Sequence, residues 1–288
     1  MIKYNQKLWF KHIFHFPKSD TVYLLWKELI ILGIFSAGVT YVEIEYMDDT
    51  SVFKDMIAVY SLVGFVLSLL LVFRTNTAYD RWWEGRKKWG ELVNNSRNLA
   101  IKISSMIEKK EDREYFSRMI PNYALSMKEH LRGKVIIEEL ELTVTEKAAI
   151  EHTEHKPNFV AHSMYKKLHA IKKEKRISEE EFLSIDNNLK TLSDIIGACE
   201  RIRNTPIPYS YSLFLKKFIF LYVMTLPLGF VSSFGYYTPA ISIFIFFILV
   251  SMEVLAEEIE DPFGKDANDL PTGELSKKIK ANVQEILL

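Results

Sequence analysis

The sequence predicts an all-α membrane protein: four transmembrane helices with a helical cytoplasmic domain. Three observations carry that prediction. Residues 56–73 hold no charge, a run of about 18 residues that approaches the length needed to cross the hydrocarbon core. The chain has 288 residues, 48% of them apolar, and a mean hydropathy of zero, too polar for full immersion in lipid and too rich in long apolar runs for water. Finally, the roughly 140 residues between the second and third apolar runs are too many for a loop and follow a helical period.

The predicted spans are 22–42, 56–73, 214–234 and 240–256, each near the length of a bilayer-crossing helix. Four spans place both termini on one side. Lys3, Lys7, Lys11 and Lys18 precede the first span, and Arg74, Arg81, Arg86, Lys87 and Lys88 follow the second, so these sides are expected to be cytoplasmic. Glu43, Glu45, Asp48, Asp49 and Asp55 face only Lys54 between spans one and two, which puts that connection outside. The amino terminus mixes aromatic and basic residues and lacks the apolar core of a signal peptide. The expected location is the membrane that encloses the cytoplasm, with both termini cytoplasmic.

The cytoplasmic parts are expected at 74–213 and 257–288. Ser178 and Glu181 read as a capping box, and Phe182, Ile185, Leu189, Leu192 and Ile196 form one apolar stripe behind it. Pro206 and Pro208 stop that helix. Thr238 before Pro239 reads as the N-cap of span four. Leu275, Ile279, Val283 and Ile286 mark a final amphipathic helix. The single cysteine, Cys199, permits no intrachain disulfide and is read as a packing residue.

At the end of span two the chain becomes dense in Arg, Trp and Asn: Phe73-Arg74-Thr75-Asn76-Thr77-Ala78-Tyr79-Asp80-Arg81-Trp82-Trp83-Glu84-Gly85-Arg86, then Trp89-Gly90. Further along come Asn204-Thr205-Pro206-Ile207-Pro208-Tyr209, Leu226-Pro227-Leu228-Gly229, and Glu257-Glu258-Ile259-Glu260-Asp261-Pro262-Phe263-Gly264 with Asn268-Asp269-Leu270-Pro271. Together, and in this order, these stretches resemble the bestrophin family of pentameric ion channels, in its bacterial branch. The stretch 110–195 carries no such motif.

Phe65, Leu69 and Phe73 recur at four-residue spacing and share one helix face. Spacing alone suits lipid or a neighbouring helix. The resemblance implies instead that they line the neck of a central pore, three apolar rings in a homopentamer, which would gate by expelling water. It likewise implies that Ile207, between its two prolines, forms an aperture at the cytoplasmic exit rather than a mere linker. Arg81, Trp82, Trp83, Arg86 and Trp89 suit a headgroup anchor by composition, and the resemblance makes them structural, holding the neck helix.

Acids crowd the end of span four. Vertebrate bestrophins use adjacent acids there as a calcium clasp, but in this chain the run is broken by Pro262, Phe263, Gly264 and Lys265. The expected role is a solvated, subunit-bridging segment that pairs with the basic 74–88 block; Glu257, Glu260, Asp261 and Asp266 form the candidate calcium set, and no cofactor is required. His152, His155, His162 and His169 are expected to be solvated, since a zinc site needs converging ligands.

The expected function is a passive channel for monovalent ions, its partners being other copies of the chain, the bilayer and the ions, with no nucleic acid. The acids at 43–49 lean it towards sodium and other cations; the alternative is an anion channel passing chloride, as in vertebrate relatives. A membrane-bound sensor or enzyme is the alternative of another class, but no phosphate-gripping loop or nucleophile with an evident base is present, so no catalysis is expected.

Overall fold

The computed structural model describes residues 21–47 and 56–288. Among these residues there is no strand. The α-helices are α1 (Thr21–Tyr46), α2 (Met56–Met106), α3 (Lys110–Leu131), α4 (Val144–Glu151), α5 (Lys156–Lys173), α6 (Glu179–Asn204), α7 (Tyr209–Phe234), α8 (Thr238–Glu260) and α9 (Thr272–Leu287). Three stretches are long and apolar enough to cross a membrane: Thr21–Tyr46, Met56–Met106 and Glu179–Glu260. The third is broken at 205–208 and again at the 3₁₀ turn Gly235–Tyr237, so it contains both apolar helices α7 and α8.

Several boundaries differ from the sequence reading. Helix α2 does not stop at Phe73 but runs for 51 residues, because the following segment lacks proline and keeps helical spacing in its buried residues Ala78, Trp89, Leu92, Leu99 and Ile103. The change of polarity marks a change of surroundings, not the end of a helix. Helix α1 extends to Tyr46 and buries Glu43, so Glu43 is not part of an exposed acidic loop; Asp48, Asp49 and Asp55 lie outside the described residues. Thr238 is no N-cap: its backbone is helical and its buried hydroxyl has no hydrogen-bond partner among the described residues, because the 3₁₀ turn feeds straight into α8.

The chain divides into two compact units. The first comprises residues 21–47 and 56–81 of the described chain with 206–260 and 266–268. Its core is Leu32, Tyr60, Leu67, Leu71, Leu215, Ile219, Val223, Leu226 and Leu249. Two glycine contacts lock its helices. A Cβ on Gly229 would sit 2.4 Å from the Tyr60 ring, and one on Gly64 would sit 2.6 Å from the Tyr222 hydroxyl. The Tyr60 hydroxyl donates to the Thr225 carbonyl at 2.7 Å, fixing the ring over Gly229.

The second unit comprises 82–205, 261–265 and 269–288. Its core joins Trp89, Leu92, Leu99 and Ile103 of α2 to Phe116, Met119 and Tyr123 of α3, Met164 and Leu168 of α5, the α6 stripe, and Ile279 and Val283 of α9. The Ser178–Glu181 capping box is present, with Glu181 N–H to Ser178 Oγ at 3.2 Å and Ser178 N–H to Glu181 Oε2 at 2.8 Å. Helix α6 ends at Asn204, ahead of the two prolines, whose rings disfavour helix for the residues before them.

Candidate functional site

Within the first unit, helix α2 has two faces. Leu67 and Leu71 are fully buried, whereas Phe65 and Phe73 are each 61% exposed and Leu69 is 43% exposed. At 100° per residue the exposed trio points away from the buried stripe, and the three side chains step along the axis by about 6 Å each. Ser61 and Ser68 return their hydroxyls to the carbonyls of Ile57 and Gly64, both at 2.8 Å, so they add little polarity to the helix surface. A single chain therefore presents a row of large apolar groups that nothing among the described residues covers.

Directly after Phe73, Arg74 turns inwards and is only 2% exposed. Its Nη2 meets Glu260 Oε2 at 2.6 Å. The other carboxylate oxygen of Glu260 accepts the backbone N–H of Ile207 at 2.6 Å, and the Glu260 carbonyl accepts Arg81 Nε at 3.2 Å. One glutamate thus holds the helix turn that follows Phe73 and the half-buried Ile207 between α6 and α7. The terminal acids do pair with the basic 74–88 block here, but through a buried contact within one chain and not the solvated, subunit-bridging one expected, and the carboxylate is one of the calcium candidates.

The other acids have separate surroundings. Glu257 accepts from Lys216 Nζ at 3.0 and 3.1 Å, the Asp261 carboxylate accepts the Phe263 N–H at 3.4 Å, and Asp266 is exposed. Among the described residues, the group of three His, Cys, Asp or Glu side chains whose ligand atoms converge is His130, His155 and Glu200. Glu257, Glu260, Asp261 and Asp266 do not form such a group.

Of the aromatic block, Trp89 is fully buried in the second unit's core, and Trp82 and Trp83 stack with ring centroids 6.5 Å apart. Trp83 is exposed and Arg86 half-buried. Gly85 has a steric reason to be glycine: a Cβ there would lie 3.1 Å from Pro262 and 3.2 Å from the buried Phe263 ring. Cys199 is buried; desolvation pushes its thiol up to about 12, which leaves it unionised at neutral pH and inert.

The sequence reading places Arg74 in a solvated basic block and misses its burial, though a charge at the last turn of an apolar run that must still pack is a signal for a buried partner. It also read His155 as solvated. His155 instead caps α5, its Nδ1 accepting the Asn158 N–H at 3.1 Å, and its other nitrogen meets Glu200.

Comparison with known proteins gives a consistent picture. The model of the bacterial/fungal bestrophin protein family matches residues 1–285. A voltage-dependent anion channel-forming protein of Nostoc is 35% identical, over 98% of this chain and 92% of its own length. A protein of the same description from Escherichia coli K12 is 28% identical, over 99% of this chain and 94% of its own. Among solved structures, a bacterial bestrophin homologue from Klebsiella pneumoniae superposes with a TM-score of 0.84 at 25% identity, covering 91% of this chain and 98% of that one.

Proposed function

Because the chain belongs to the bacterial and fungal bestrophin family, a family of membrane channels, we propose that it forms a homopentameric pore whose neck is built by Phe65, Leu69 and Phe73. The observation that carries this reading is the uncovered apolar row on α2, set opposite the buried stripe of the same helix. One chain with so few spans cannot enclose a pore, so copies must assemble around an axis. Five copies would stack three apolar rings along about 12 Å, a constriction that closes by dewetting and needs no charged filter.

On this reading α1, the first part of α2, α7 and α8 are the four spans, and residues 74–213 and 257–288 form the helical cytoplasmic region. Both termini lie on the cytoplasmic side of the bacterial inner membrane. Ile207 forms the second constriction, and Glu260 couples it to the neck by holding both its amide and Arg74. Arg81, Trp82, Trp83, Arg86 and Trp89 brace the neck helix. Calcium has little place in the mechanism, since Glu257 and Glu260 are already committed to Lys216 and Arg74.

An apolar neck does not choose the sign of the ion. The cation reading is supported by exposed Glu45 at the end of α1, held by the Tyr236 hydroxyl at 2.9 Å, and is weaker for the burial of Glu43. The anion reading is favoured by the relatives described as forming anion channels. The test is the reversal potential of the purified protein in planar bilayers under a sodium chloride gradient. A value near the sodium equilibrium potential establishes cation selectivity, one near the chloride potential establishes anion selectivity, and no current from an assembled oligomer refutes the pore.

A further inference from the structure

We propose that His130, His155 and Glu200 form a binding site for a borderline divalent transition metal, with zinc the best match. The site lies in the second unit and shares no residue with those assigned above to the pore. His130 Nε2 stands 2.7 Å from Glu200 Oε1, and His155 Nε2 stands 2.8 Å from the same oxygen. The two imidazoles lie face to face at 4.4 Å between centroids, tilted by 37°. Ligand atoms from three different helices thus point at one position.

The frame that brings them there is rigid. His130 sits in the last turn of α3, His155 is the N-cap of α5, and Glu200 lies near the end of α6. These three helices pack on one another through Tyr123, Met164, Leu192 and Ile196, and the Tyr123 hydroxyl donates to the Leu192 carbonyl at 2.6 Å. Two imidazoles and one carboxylate are the donor set of an open zinc site with water as fourth ligand. Calcium and magnesium favour all-oxygen sets, so they fit poorly. Glu200 also borders an open cavity of about 370 Å³ shared with Asn158, His162 and Tyr165, which gives a metal its entry path and room for the water ligand.

Binding requires a defined rearrangement. Tetrahedral arms of about 2.0–2.1 Å separate ligand atoms by roughly 3.3 Å, so the three side chains must spread by about half an ångström from their hydrogen-bonded positions. Each neutral imidazole must also present a bare Nε2 and carry its proton on Nδ1. For His155 this forfeits the hydrogen bond from the Asn158 N–H, which weakens affinity about fivefold, the worth of a helix cap. The same requirement supplies a signature: zinc uncaps α5.

The experiment uses the full chain, purified in detergent, stripped with chelator and titrated with zinc alone by calorimetry, then with cobalt(II) by visible absorption. The expected result is one zinc per chain, a tetrahedral cobalt spectrum, and faster hydrogen exchange at the Asn158 amide when zinc is bound. His130→Gln with His155→Gln preserves amide donors for Glu200 and is expected to weaken that binding at least tenfold, as is Glu200→Gln, with the melting temperature of the metal-free chain confirming the fold. Failure of the folded wild-type chain to bind zinc overturns the proposal. Zinc binding that survives unchanged in the double variant overturns it as well, because the metal is then held elsewhere.

Discussion

Replacing Glu260 with glutamine removes one charge from the pair that ties Arg74 to the Ile207 amide. Arg74 is 2% and Glu260 12% exposed in their side chains, so solvent screens the pair little. Removing one partner of a buried pair costs about 3–5 kcal/mol, because the remaining charge stays desolvated. The position leaves Arg74 few alternatives, since its Nε and Nη1 already have no hydrogen-bond partner among the described residues. Glutamine keeps one oxygen, which accepts from the guanidinium or from the Ile207 N–H while its NH2 faces the other donor, so it offsets only about 1 kcal/mol. The net loss of about 2–4 kcal/mol corresponds to a fall in melting temperature of about 4–16 °C. Thermal unfolding in detergent measures this, and single-channel recording of the same variant is expected to show altered gating, because the turn behind Phe73 and the Ile207 segment lose a common anchor. A double variant, Arg74→Met with Glu260→Met, should recover much of the stability while leaving the gating altered. A Glu260→Gln protein that melts within about 1 °C of wild type and gates identically refutes the coupling.

Other perturbations follow from the same structure. Gly229→Ala drives a methyl into the Tyr60 ring, 2.4 Å away, and the ring cannot swing clear while its hydroxyl holds the Thr225 carbonyl; thermal unfolding is expected to show a loss of about 1–3 kcal/mol. If Ile207 forms the proposed second constriction, Ile207→Ala changes conductance or permeability ratios in single-channel records; identical records would remove Ile207 from the pore. In the second unit, burial pushes the Asp112 carboxyl up, but its hydrogen bonds and charge pairing with Lys167 and Arg176 outweigh this and hold it below its ordinary 3.8. A folded value below the unfolded one stabilises the protein above the unfolded value and loses that contribution as pH falls through the folded value. Melting temperature is therefore expected to drop below about pH 4, and Asp112→Asn, less stable at neutral pH, should show a shallower drop.

Much of the helical plan was legible because hydrophobic period and stop signals are local. The α6 capping box, its apolar stripe and its end ahead of Pro206 follow from neighbouring residues, and the structure places them as expected. The long α2 was misjudged because hydropathy reports surroundings, whereas helix continuation depends on the absence of breakers and on buried spacing beyond Phe73. Glu43 was misplaced for a related reason: a carboxylate after an apolar run looks like a loop residue, yet it continues the buried face of α1 behind Ser36 and Thr40. The convergence of His130 on His155 and Glu200, and of Arg74 and Ile207 on Glu260, joins residues far apart in sequence. No spacing rule reaches such pairs; only packing of the intervening helices brings them together.

In the proposed pore, ions pass a neck made of Phe65, Leu69 and Phe73. This is tested most directly by single-channel recording of purified wild-type and Phe73→Ala protein in planar bilayers. Removing the phenylalanine ring at the carboxy-terminal end of the row should weaken dewetting and clearly raise open probability at unchanged oligomer size. An unchanged open probability in a folded, assembled Phe73→Ala channel contradicts it.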